Sequence, residues 1–165
     1  MSGLGIGGLS PEQHPLFRQS GLPAPAADGS VRVPGKIVYP SSAAAIADLW
    51  RLTENLALLH AEREALDRRL LQLRERLADP ALFGHARRGD AEQRHEDLVN
   101  GRATIESRLQ VGMLLAGDIY LALPEGAREG LGCLGWAPVV SRGAMRIWLE
   151  ACLATGSLPV REAPF

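Results

Sequence analysis

The sequence predicts a mainly α protein: a long antiparallel helical hairpin of coiled-coil type, with a C-terminal helix and an extended N-terminal arm. Three observations carry this expectation. Leucines recur at spacings of three and four from Leu49 to Leu77. A second stripe with the same spacing runs from Leu98 to Leu123, and Asp79-Pro80 stands between the two. The expected organisation is a Gly/Pro-rich extended or disordered arm over 1–40, the hairpin over 41–123, and a loop plus C-terminal helix over 124–165.

The arm differs in material from the rest. Glycines 3, 5, 7, 8, 21, 29 and 35 alternate with prolines 11, 15, 23, 25, 34 and 40, which permits no long helix and no central strand. Val31-Arg-Val and Lys36-Ile-Val-Tyr39 suit short extended segments. Leu16, Phe17, Val33, Ile37 and Tyr39 would anchor such an arm against a partner. Pro40-Ser41-Ser42 then opens a helix, a capping serine ahead of Ala43-Ala-Ala-Ile-Ala. Its stripe is Leu49, Leu52, Leu56, Leu59, Leu66, Leu70, Leu73 and Leu77, with Arg63 standing where a ninth leucine would fit.

Asp79-Pro80 ends this helix, because a proline disfavours helical backbone at the residue before it. The turn is expected to last to Gly89, with Asp90 capping the second helix. The second stripe is Leu98, Arg102, Ile105, Leu109, Gly112, Ala116, Ile119 and Leu123. An antiparallel turn near Gly84 pairs residues whose numbers sum to about 168. That register sets Arg63 beside Ile105 and Glu106, and Arg102 beside Leu66 and Asp67, so each arginine in the seam has a carboxylate in reach. Pro124 to Gly135 reads as a glycine-rich loop and Trp136 to Val140 as a short extended piece. Ser141 caps a third helix from Arg142 to Ala154, closed by Thr155-Gly156. Its stripe of Met145, Trp148, Leu149 and Cys152 is expected to pack on the open end of the hairpin, near Ile119 and Leu123.

The bulk composition bounds the rest. A chain of 165 residues with 46% apolar residues suits one domain, or one domain and an arm. Aromatics are sparse at 5%, which points to a core of Leu, Ala, Val and Ile. The formal charge of -1 argues against a nucleic-acid or anionic-membrane partner. Lys36 is the single lysine; such arginine-rich, alanine-rich composition suits a GC-rich bacterial or phage-like genome. Val111 to Leu123 is too short to span a bilayer and contains Asp118, and the N-terminus has no basic, apolar leader. With Cys133 and Cys152 the only cysteines, a cytoplasmic, soluble protein with reduced thiols is expected, the pairing of those two being left open.

Motifs that would carry chemistry do not hold together. Gly3, Gly5 and Gly8, and again Gly130, Gly132 and Gly135, match the dinucleotide fingerprint by spacing, but neither set lies between a strand and a helix. His14, His60, His85 and His95 show no ligand spacing, and the two cysteines lack that of a zinc site. No metal and no cofactor are expected. Seven arginines gather near the tip (Arg68, Arg69, Arg74, Arg76, Arg87, Arg88, Arg94), with Glu64, Asp67, Glu75, Asp79, Asp90 and Glu92 interleaved, as on a solvated face.

Two local resemblances stand beside this reading. Arg76-Leu-Ala-Asp-Pro-Ala-Leu-Phe83 resembles helical-hairpin turns in the N-terminal domain of peptide chain release factors and in the C-terminal coiled coil of some ABC-F ATPases. It covers eight residues, and the Gly-Gly-Gln tripeptide of the release factors is absent, so it implies a turn and no activity. Glu64-Ala-Leu-Asp67 followed by Leu70-Leu71-Gln-Leu73 resembles the first helix of all-helical chorismate mutases, which hold a dicarboxylate with arginines and a lysine inside a helical bundle. That resemblance implies a ligand role for Arg63 and Arg102. The lysine expected after the first helix is missing, and Pro80 cuts the helix early.

The function expected is therefore non-enzymatic: a coiled-coil interaction or structural subunit, a homo-oligomer or one component of a larger complex. The alternatives are a small helical enzyme of mutase type and a nucleic-acid-associated coiled coil using the arginine-rich tip. A two-helix hairpin buries one side of each helix, so apolar residues off the stripes need other cover. Ile46, Trp50, Leu58, Leu71, Val99 and Val111, with Phe17 and Tyr39 on the arm, form the expected protein-interaction surface.

Overall fold

Among the described residues six elements follow one another: β1 (Val31–Arg32), β2 (Val38–Tyr39), α1 (Ser42–Ala78), α2 (His85–Ala122), α3 (Glu125–Cys133) and α4 (Arg142–Thr155). The computed structural model describes residues 29–35, 37–81 and 84–161, and the side chains of all of these except residues 85 and 86. Leu16 and Phe17 lie outside the described residues. The chain is mainly helical, as its leucine stripes require. It divides into two compact units: one runs to Glu54 and resumes at Met113, the other is Asn55–Gly112. The division falls inside both long helices.

The second unit is an antiparallel pair, the C-terminal part of α1 against the N-terminal part of α2. Its register is fixed by three cross-helix pairs. Arg63 meets Glu106 at 2.6 Å, Asp67 meets Arg102 at 2.9 Å, and Arg74 meets His95 at 3.2 Å. Four and then seven residues up α1 correspond to four and then seven back along α2, which is one unbroken antiparallel alignment. Leu56, Leu70, Leu73, Ile105 and Leu109 are buried between the helices. Burial of a leucine stabilises by about 1.5–3 kcal/mol, so this seam outweighs any single ion pair beside it.

The tip closes as its residues dictate. Asp79 accepts through Oδ1 from the backbone N–H of Ala81 at 2.9 Å, an Asx-type turn that stops α1 at Ala78. The onset of α2 departs from expectation. Helix begins at His85, not after Asp90, with the Arg88 N–H donating to the Gly84 carbonyl at 2.9 Å. Arg88 explains the difference. Its guanidinium donates to the Leu77 carbonyl at 2.6 Å and lies 3.5 Å from Glu92, so it satisfies the end of α1 while bracing the first turns of α2. That tie offsets the helix-interior cost of Gly89, about 1 kcal/mol against alanine.

The first unit is built from β1, β2, the start of α1, the end of α2, α3 and α4. Residues 31–39, expected as an extended arm, form a two-stranded antiparallel hairpin in which Val31 pairs with Tyr39 and Arg32 with Val38. Pro34-Gly35 makes the turn, with Gly35 at φ +70, a backbone state that glycine adopts without strain. Alternation sends Val31, Val33 and Tyr39 into the core and leaves Val38 outside. At the start of α1, Ser41 accepts from the Ala44 N–H at 3.2 Å, the expected cap.

Residues 124–135 are also corrected, since most of them form the helix α3 and not a loop. Pro124 supplies the first carbonyl, accepting from the Arg128 N–H at 3.1 Å, and Leu131 buries the inward face. Gly135, at φ +100, then turns the chain back so that the Trp136 N–H reaches the Leu131 carbonyl at 3.1 Å. In α4, Ser141 accepts from the Ala144 N–H at 3.0 Å and Gly156 closes the helix in the left-handed region. Met145, Leu149, Cys152 and Leu153 face inward, and α4 packs on α2. The contact is close: a Cβ on Gly117 would stand 2.8 Å from the Cα of Arg142. Arg142 also pairs with Asp118 at 3.1 Å.

Candidate interaction surface

The eight residues expected to form an interaction surface do not stay together. Leu58 and Val111 are 70% and 63% exposed, and Leu71 and Val99 are 57% and 38% exposed, all four in the second unit. Ile46 is half-buried, and Phe17 lies outside the described residues. Trp50 and Tyr39 are core residues, which corrects their assignment to the surface. Sparse aromatics concealed the reason. Trp136 stands at the centre of a cluster, edge-on to Trp50 with centroids 5.6 Å apart, stacked at 6.2 Å on Tyr120, and tilted at 5.6 Å against Trp148. The four rings come from α1, α2, α4 and the segment after α3, so three tryptophans and a tyrosine hold the first unit together.

Tyr39 is fixed by more than burial. Its hydroxyl donates to an Asp48 carboxylate oxygen, while Arg51 donates to the other oxygen. Burial first, and then the Asp48 hydrogen bond, push the Tyr39 phenol up to about 12. The same hydrogen bond, with Arg51 behind it, holds Asp48 below the usual aspartate range. These three residues line an open groove of about 720 Å³ with Ile37, Glu54 and Arg161. Of its polar groups, Tyr39, Asp48 and Arg51 are already engaged with one another.

Along one flank of the second unit runs a connected polar chain. Arg63 donates to Glu106 and, through Nη2, to Nδ1 of His60 at 3.0 Å. An arginine cannot accept, so that nitrogen carries no proton and the ring presents Nε2–H to Glu64, 3.3 Å away. Arg102 contacts Asp67 and lies 3.6 Å from Glu106. Gln110 also donates to Glu106, and the Arg63 hydrogen bond is the main cause that lowers the Glu106 carboxyl. The arginines that the mutase resemblance assigns to a dicarboxylate are thus both engaged with carboxylates of the chain. At the tip, Arg74 and Arg88 are engaged as well, with His95 and with Leu77 and Glu92.

Leu71 and Val99 line one shallow groove together with Leu70, Asp67, Arg74 and Arg102. Leu58 and Val111 make a second pair. Five residues before Arg63 and five after Glu106, they fall level in the same register, and the helical period places them on the flank away from Leu71. Both cysteines are free, Cys133 exposed and Cys152 buried. Among the described residues no group of side chains could hold a metal ion. Gly130 and Gly132 lie inside α3, which removes the helix onset that a dinucleotide fingerprint needs there. No helix among the described residues is long and apolar enough to cross a membrane. Comparison with protein-family models, with curated proteins and with solved structures finds no match to this chain.

Proposed function

We propose that the protein is a non-enzymatic interaction subunit whose second unit packs lengthwise against helices of a protein partner or of further copies of the same chain. One observation carries this reading: the two-helix unit leaves its own stripe half covered. Leu59, Leu66, Leu77 and Leu98 are only half-buried, and the pairs Leu58–Val111 and Leu71–Val99 stand exposed on opposite flanks. A solvated antiparallel pair with apolar side chains on both flanks is an incomplete bundle, and added helices would bury what two cannot. The engaged arginines support the same reading, since they serve register and not substrate.

The test is association of the full chain. Light scattering across a hundredfold concentration range should show self-association or a stable complex with a co-purifying protein. Leu58→Glu with Val111→Glu, or Leu71→Glu with Val99→Glu, should weaken it at least tenfold at unchanged helicity. A strictly monomeric chain that co-purifies with nothing would defeat the proposal.

A further inference from the structure

In the first unit, Tyr120, Arg128, Gly132, Trp136, Pro138 and Val139 line a groove of about 440 Å³ that the packing of the fold does not account for. Two features of its wall are out of balance. The Nε of Arg128 and the indole N–H of Trp136 are buried and have no acceptor among the described residues. A buried donor without an acceptor costs about 1–3 kcal/mol, and more when it is charged. Arg128 forms no ion pair among the described residues, although Glu125 and Glu129 lie three residues before it and one after it on the same helix. It stands close enough to Tyr120 for its charge to be felt at the phenol, against the upward push of burial.

The second feature is Gly132. It lies within α3, where glycine weakens a helix, yet its φ is not positive and a Cβ there would meet nothing within 4 Å. Neither backbone strain nor close packing demands glycine at this position. What its missing side chain does is keep the groove open.

We propose that this groove binds a small organic monocarboxylate with an apolar or aromatic body, its oxygens supplying the acceptor that Arg128 and the Trp136 N–H lack and its body lying against Pro138 and Val139. The donors set the sign of the ligand: guanidinium, indole N–H and phenol O–H all donate, and an ionised oxygen answers them best. The rim limits its charge. Glu125 and Glu129 are exposed at the edge of the groove and repel a second negative charge, which disfavours phosphate and dicarboxylates. The apolar walls and the ring face of Trp136 favour a carboxylate that carries hydrocarbon over acetate.

The test uses the full chain labelled with 15N, whose three tryptophans give three indole N–H signals, assigned with Trp50→Phe and Trp148→Phe. Phenylacetate should shift the Trp136 signal saturably, while phenethylamine and inorganic phosphate at equal concentration should leave it in place. Arg128→Gln should weaken phenylacetate at least tenfold at unchanged melting temperature. Gly132→Leu, which fills the groove from open space, should abolish binding while leaving the fold intact. No saturable shift with phenylacetate, as from a groove that holds water alone, would overturn the assignment. So would an equal response to phenethylamine or phosphate, or binding indifferent to both substitutions.

Discussion

Trp136 joins more elements of the first unit by ring contacts than any other aromatic residue described. It is 2% exposed and touches three other rings drawn from separate elements. Trp136→Ala should cost about 3–5 kcal/mol, read as a lower midpoint in denaturant, whereas Leu134→Ala on the exposed side should change little. None of this was legible in the sequence, because Trp50 stands 86 residues before Trp136 and no periodicity links the tryptophans. Tyr39 and Tyr120 are the only tyrosines, and burial raises both. The folded state therefore holds each phenolic proton more tightly than the unfolded chain does. That contribution is complete below about pH 10, the ordinary tyrosine value, and fades as the pH climbs toward the folded values. Phenolate absorbance at 295 nm should stay low at pH 10.5 and rise together with loss of structure, and Tyr39→Phe should remove part of the late rise. Gly117 is a further residue whose role the sequence hid, since it stands beside the stripe residue Ala116 and not in the stripe. Because the Arg142 backbone stands where its Cβ would go, Gly117→Ala should destabilise by roughly 1–3 kcal/mol despite the gain in helix propensity.

The elements divide by how local their signals are. The start of α1 at Ser41, its end at Asp79-Pro80, and both ends of α4 follow from caps and breakers a few residues long, and each is where the sequence places it. The register of the second unit was legible too: a turn near Gly84 sets paired numbers summing to about 168, which puts a carboxylate beside Arg63 and beside Arg102, where the structure has Glu106 and Asp67. Elements that depend on distant contacts were not legible. Glycine-rich α3 is a poor helix by propensity and stands because Leu131 and the following turn are packed. The first turns of α2 depend on Arg88 reaching the other helix. The register claim has a direct measurement. A double-mutant cycle of Arg63→Ala and Glu106→Ala should give a coupling of roughly 1 kcal/mol, modest because Glu106 is about a third exposed. Arg63 lowers the Glu106 carboxyl, so the coupling is complete above the ordinary glutamate range near pH 4.3 and is lost as the pH falls through the folded value. Repeating the cycle at pH 7 and pH 3 tests that sign.

For the whole molecule, the sequence predicted a long helical hairpin with an N-terminal arm and a C-terminal helix, and the two long helices are each shared between two compact units. The expected surface was half legible for the same reason. Leu58, Leu71, Val99 and Val111 could be read from two helices alone, whereas Trp50 packs on Trp136, 86 residues on, and Tyr39 is buried with its hydroxyl on Asp48. This division bears on the order of folding. The first unit is discontinuous in sequence, and Asn55–Gly112 is the excursion that separates its parts. Closing a flexible loop of roughly sixty residues costs about 3–4 kcal/mol in chain entropy, but an excursion already folded back on itself brings its two ends together in advance. The hairpin is sequence-local and can form early, whereas the tryptophan cluster waits for Trp136 and Trp148, which follow the hairpin in the chain. A substitution such as Leu70→Ala, confined to the second unit, should therefore hasten amide exchange in α4, which contributes no residue to that unit. The hairpin would then serve its own chain first, as the splint on which the two parts of the first unit find each other.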